Sequence, residues 1–108
     1  MKELLESVSK LADEELKRSY EKFPEFNSPH EGYAVIKEEV EEHTEDTENI
    51  IHDLEKLWNY TKVNDYLMEI GHAENLRDSS IHAAAEAIQV AAMAQKYIDS
   101  LGGANNES

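Results

Sequence analysis

Two acidic groupings hold the chemistry legible in this chain. Glu38-Glu39-Val40-Glu41-Glu42 lies in the first half, and Glu86 with Gln89 lies in the second. Carboxylate oxygens are hard ligands, and sets of them from two elements can hold a hard divalent cation. Glu86 is the more telling acid because its neighbours are apolar. On a helix advancing about 100° per residue it shares a stripe with Ala83, Val90, Met93, Tyr97 and Leu101. An ionised carboxylate on such a stripe is costly unless a cation or hydrogen-bond donors meet it. Lys and Arg total only 10 against 24 Asp and Glu, so a bound metal is a ready partner. The competing reading is a structural acid bonded to His or Tyr.

Runs of Glu are common on solvated helix faces, and Glu45, Asp46 and Glu48 read that way. Helical geometry separates the rest. A heptad-like stripe of Ile36, Val40, His43, Thr47, Ile50, Leu54, Leu57 and Thr61 sets the inward direction. Glu39 falls within roughly 60° of its centre and Glu42 farther round the same flank, while Glu38 and Glu41 point away. Glu39 and Glu42 are three apart, as are Glu86 and Gln89. Two such pairs on facing helices would make an oxygen-only site suited to Mg²⁺. The Glu-x-x-Glu spacing also arises by chance in acidic helices.

The elements that must position these residues are all helical. Leu4, Leu5, Val8, Leu11, Ala12, Leu16 and Tyr20 predict an amphipathic helix over residues 3–22. Phe23-Pro24-Glu25-Phe26-Asn27-Ser28-Pro29 interrupts it. Ser28 as cap, Pro29 at the first helical position and Glu31 at the third then open a long second helix. A short third helix is expected from Val63 to Ile70, ended by Gly71. The last is expected to begin between Ala73 and Ser80 and end at Leu101, leaving residues 102–108 as a disordered tail. Seven of the twelve residues from Ala83 to Ala94 are alanine, which predicts a central helix with close neighbours. No useful period-two alternation occurs. The expected fold class is all-α, a bundle of about four helices forming one domain over residues 1–101. Trp58 is expected in a helix interface, and the histidines show no metal-ligand spacing.

A chain of 108 residues is small enough that association of copies would help it bury apolar surface. The net charge of −14 opposes nucleic-acid or anionic-lipid partners. There is no Cys, which excludes disulfides and thiolate zinc sites. With no signal-like or membrane-length apolar run, the expected location is cytoplasmic.

The motif order resembles that of the MazG-like all-α nucleoside triphosphate pyrophosphohydrolases, marked by E-E-x-x-E followed by E-x-x-D. The resemblance is closest to short phage-associated members. It rests on His30-Glu31-Gly32-Tyr33-Ala34-Val35-Ile36-Lys37-Glu38-Glu39 and Glu86-Ala87-Ile88-Gln89-Val90-Ala91-Ala92-Met93-Ala94, about a quarter of the chain. It implies a helical homo-oligomer, a dimer or larger. It also implies Mg²⁺-dependent hydrolysis of an NTP or dNTP to the monophosphate and pyrophosphate, with Mn²⁺ as a possible substitute. Glu39, Glu42 and Glu86 then match metal ligands, and Glu38 the leading acid that binds a second metal or positions water. The chain departs from the family at Gln89, where Asp is expected, and at Lys96, where Asn is common. Gln89 remains a possible amide ligand, and Lys96 a possible phosphate contact. Phe23, Phe26 and Tyr33 could stack a base or simply staple the helix start. The rival expectation is a catalytically inactive helical binding or regulatory module of the same fold.

Overall fold

The computed structural model describes residues 1–106, with side chains through residue 102. Among the described residues there are three helices: α1 (Lys2–Lys22), α2 (Pro29–Thr61) and α3 (Tyr66–Asn106). The all-α class and the long second helix are as expected; the helix count is corrected from four to three. Gly71 does not end a helix. No described glycine has positive φ, and the chain reverses earlier, at Asn64, whose φ is 56°. Asp65 then caps α3, its Oδ1 accepting from the Met68 amide at 3.3 Å. With the turn made there, Gly71 sits in a helix interior, where a flexible residue is tolerated at modest cost. The helix also passes Leu101 and continues to Asn106; residues 107 and 108 of the expected tail lie outside the described residues.

The start of α2 follows the sequence signal. The Glu31 amide donates to Ser28 Oγ at 3.2 Å. The Glu31 carboxylate turns to Asn27, accepting from Nδ2 at 3.0 Å, so the box closes on the side chain before the cap.

Contacts divide the chain into two compact units: residues 1–40 with the chain from Ala87 onward, and Glu41–Glu86. In the first unit, α1 and the opening of α2 pack with the latter part of α3. Its best-buried side chains are Ala92, Met93 and Lys96. Gly32 makes this packing possible: a Cβ there would stand 2.6 Å from the Tyr97 ring and 3.0 Å from Phe26. The Tyr20 hydroxyl donates to Asp99 Oδ2 at 2.9 Å. Burial and that carboxylate push its pKa up to about 12.

The second unit is an antiparallel helical hairpin with a polar seam. Besides Val35, the half-buried α2 positions along the chain are Ile36, Glu39, His43, Asp46, Ile50, Asp53, Leu57 and Tyr60. This keeps the expected heptad period but turns the helix. Val40, Thr47, Leu54 and Thr61, expected inside, are exposed. Within the hairpin the rungs are polar: Tyr60 stacks on His72 with centroids 5.1 Å apart, and Ser79 Oγ donates to Asp53 at 2.9 Å. Asp46 meets His82 at 2.7 Å. Asp46 is therefore not a solvated acid; its side chain is 13% exposed. Ala83 is the one buried apolar residue of this unit among those described, and Trp58, expected in an interface, is 60% exposed.

Candidate functional site

Four side chains of the hairpin come from two i, i+4 pairs: Glu42 and Asp46 on α2, His82 and Glu86 on α3. That spacing stacks each pair on one helix face. One ligand atom from each of Asp46, His82 and Glu86 lies within 4.8 Å of the others. Asp46 supplies the deep member of the His82 pair, and His82 itself is largely exposed. The hydrogen bond to Asp46, then the Asp46 charge, hold the His82 imidazolium above its usual pKa, with Glu86 and Glu42 adding to the effect.

Glu42 and Glu86 lie beside each other in the hairpin. The Glu42 pKa is raised, first by a side-chain hydrogen bond with Glu86 and then by the charge of Glu86. Two carboxylates in contact need a proton or a cation between them. Glu86 Oε2 is sealed from solvent and has no hydrogen-bond partner. A buried orphan acceptor beside a second carboxylate is a donor set that fits a divalent cation.

The remaining expected site residues belong to the first unit. Glu39, Gln89 and Lys96 line one cavity of about 660 Å³, together with Ser19, Phe23 and Phe26. Its wall is amphipathic: Arg18 Nη1 donates to Glu15 at 2.9 Å, and the Gln89 amide donates to the other Glu15 oxygen at 2.9 Å. Lys96 is only 2% exposed. Its ammonium donates to Ser19 Oγ at 2.9 Å and to the Phe23 carbonyl at 3.2 Å. It also lies 5.0 Å from the Tyr20 ring centroid and 5.1 Å from that of Phe26. Desolvation lowers its pKa, and the Glu31 charge partly offsets this. Glu38 is exposed on α2 and does not line the cavity.

Sequence reasoning missed Asp46 and His82. Their signal was present as Glu42-x-x-x-Asp46 and His82-x-x-x-Glu86, two same-face pairs, but the facing register appears only once the hairpin is formed.

No protein-family model, curated protein or solved structure matches this chain. Among the described residues, no helix is long and apolar enough to cross a membrane.

Proposed function

We propose that this chain is a Mg²⁺-dependent nucleoside triphosphate pyrophosphohydrolase of the short phage-associated MazG-like type. It would convert an NTP or dNTP to the monophosphate and pyrophosphate. The observation that supports this most is the Glu42–Glu86 carboxylate pair with its sealed, unpartnered Glu86 oxygen. Within the hairpin, Glu42 and Glu86 would hold the ion; Glu39 and Gln89 are ligands that only the resemblance implies. When bound, the ion neutralises triphosphate charge and makes a bound water more acidic. Glu38, exposed on α2, keeps the role the resemblance gives it, binding a second metal or positioning water. Phe23 and Phe26 offer apolar faces to a base, and Lys96 supports the cavity wall that meets phosphate. Copies of the chain associate through apolar surface, giving a homo-oligomer in the cytoplasm with no nucleic-acid partner.

A second reading has its own observation. The Gln89 amide and two of the three Lys96 ammonium hydrogens are engaged inside the protein. That favours a catalytically inactive binding module, in which these groups serve packing. Product analysis with Mg²⁺ and a panel of NTPs and dNTPs separates the two. The enzyme reading expects pyrophosphate and monophosphate, a loss of at least about 100-fold in Glu86→Ala, and stronger metal binding in Gln89→Asp. No turnover by either the natural chain or Gln89→Asp at high Mg²⁺ leaves the binding module.

A further inference from the structure

We propose that His82, Asp46, Glu86 and Glu42 form a site for a first-row transition dication of the Zn²⁺ type, held wholly within the helical hairpin. The donor chemistry differs from that of an oxygen-only Mg²⁺ site. An imidazole nitrogen among carboxylates favours borderline ions such as Zn²⁺ and Co²⁺, whereas Mg²⁺ takes oxygen and keeps its water.

Three observations converge. The first is geometric: ligand atoms of Asp46, His82 and Glu86 all lie within 4.8 Å of one another, with His82 Nδ1 2.7 Å from Asp46 Oδ2. Ligand atoms bound about 2.0–2.2 Å from one tetrahedral ion sit roughly 3.3–3.6 Å apart, so side-chain rotations of about an ångström close the set. The second is the sealed Glu86 Oε2, an acceptor with no protein donor. Nothing in the His82–Asp46 contact satisfies that oxygen, so an ordinary His–Asp pair leaves it unexplained. The third is register. Glu42 and Asp46 stack on one helix and Glu86 and His82 on its antiparallel neighbour, so the fourth carboxylate is already beside Glu86. Asp46 is deep and His82 open to solvent, which gives the ion an entry side and a position for water.

The inference shares Glu42 and Glu86 with the proposed hydrolytic site but needs neither nucleotide nor turnover. Calorimetric titration of the full, nucleotide-free chain with Zn²⁺ and separately with Mg²⁺ tests it. About one equivalent of Zn²⁺ should bind at least tenfold more tightly than Mg²⁺. Co²⁺ should give visible ligand-field bands of a site with nitrogen and oxygen donors. In the natural chain, Zn²⁺ should move the His82 imidazole nitrogen resonances more than those of the other histidines. His82→Ala and Asp46→Asn should each weaken Zn²⁺ binding about tenfold or more while leaving Mg²⁺ binding unchanged, and His52→Ala should do neither. His82 is 66% exposed, so its truncation leaves no core cavity.

Zn²⁺ binding no tighter than Mg²⁺, unchanged Zn²⁺ affinity in His82→Ala, or an unmoved His82 resonance would each overturn the site and leave an ion pair. Tight Zn²⁺ binding without nucleotide hydrolysis would sustain this inference and remove the enzymatic one. Hydrolysis supported by Mg²⁺ without selective Zn²⁺ binding would do the reverse.

Discussion

At the scale of single residues, His82 shows how one contact fixes a pH dependence. Its pKa in the folded chain lies above the ordinary 6.5 because the Asp46 carboxylate accepts its proton and stabilises its charge. A group whose folded pKa is raised contributes stability fully present below its unfolded pKa and lost as pH rises through the folded value. Glu42 has the same sign, unusual for a carboxylate, because its hydrogen bond with Glu86 and then the Glu86 charge favour its neutral form. Its contribution is complete below about 4.5 and lost above that as pH rises through its folded pKa. In the presence of a chelator, the melting temperature should therefore fall as pH rises from about 6 to about 8, the window just above the ordinary His value. His82→Gln should flatten that slope without changing the helical signal at pH 8. The group is largely exposed, so the effect is modest and best read as a difference between the two proteins. Identical slopes would mean that Asp46 does not hold the imidazolium.

Helix-scale behaviour turns on two glycines that the sequence presents alike. Gly32 lies against Tyr97 and Phe26, and an added methyl would have to displace an aromatic ring. Gly32→Ala should lower stability by about 1–3 kcal/mol. Gly71 has nothing within 4 Å of an added Cβ and occupies a helix interior. Gly71→Ala should raise stability by about 0.5–1 kcal/mol, since alanine is less flexible when unfolded and better in a helix. Chemical denaturation of both variants checks the pair, and destabilisation by Gly71→Ala would place a break in α3 at that position. The same contrast explains what the sequence could disclose. Ser28, Pro29 and Glu31 act on their own local backbone, so the start of α2 was legible. Gly71 ends nothing because the reversal is already made at Asn64, whose tolerance of positive φ is a weaker signal than a glycine's. The seam of α2 was found in period but not in rotation. Hydrophobicity put Val40 and Leu54 inside, whereas the hairpin puts Asp46 and Asp53 there, bonded to His82 and Ser79. A polar seam looks like a solvated face until its partners are known. For that reason Glu42 and Glu86 could be chosen from their motifs, and Asp46 and His82 could not.

At the scale of the whole molecule, apolar surface and net charge oppose each other. Among the described residues the buried apolar side chains are Ala83 in the hairpin and Ala92 and Met93 in the other unit, while Ile51, Leu54 and Trp58 are each more than half exposed. With Thr47 they repeat at spacings of four, three and four, a second heptad-like seam on α2 beside the one used within the hairpin. A helical hairpin with one buried alanine has little core of its own, and a second apolar seam is the surface that a further helix would cover. A net charge of −14 resists bringing copies together, and salt screens that repulsion over about 10 Å at 0.1 M. The proposed homo-oligomer should therefore have a mass in solution of at least twice the 12.3 kDa chain, and its association should strengthen as salt rises. Ile51→Glu combined with Leu54→Glu should return it to monomer by adding charge to an apolar seam. Because both positions are exposed within the single chain, circular dichroism should remain helical. Light scattering at micromolar protein, across a range of salt, measures mass directly. A natural chain that stays at 12.3 kDa throughout would remove the oligomer, and a double variant that still assembles would move the interface off this seam.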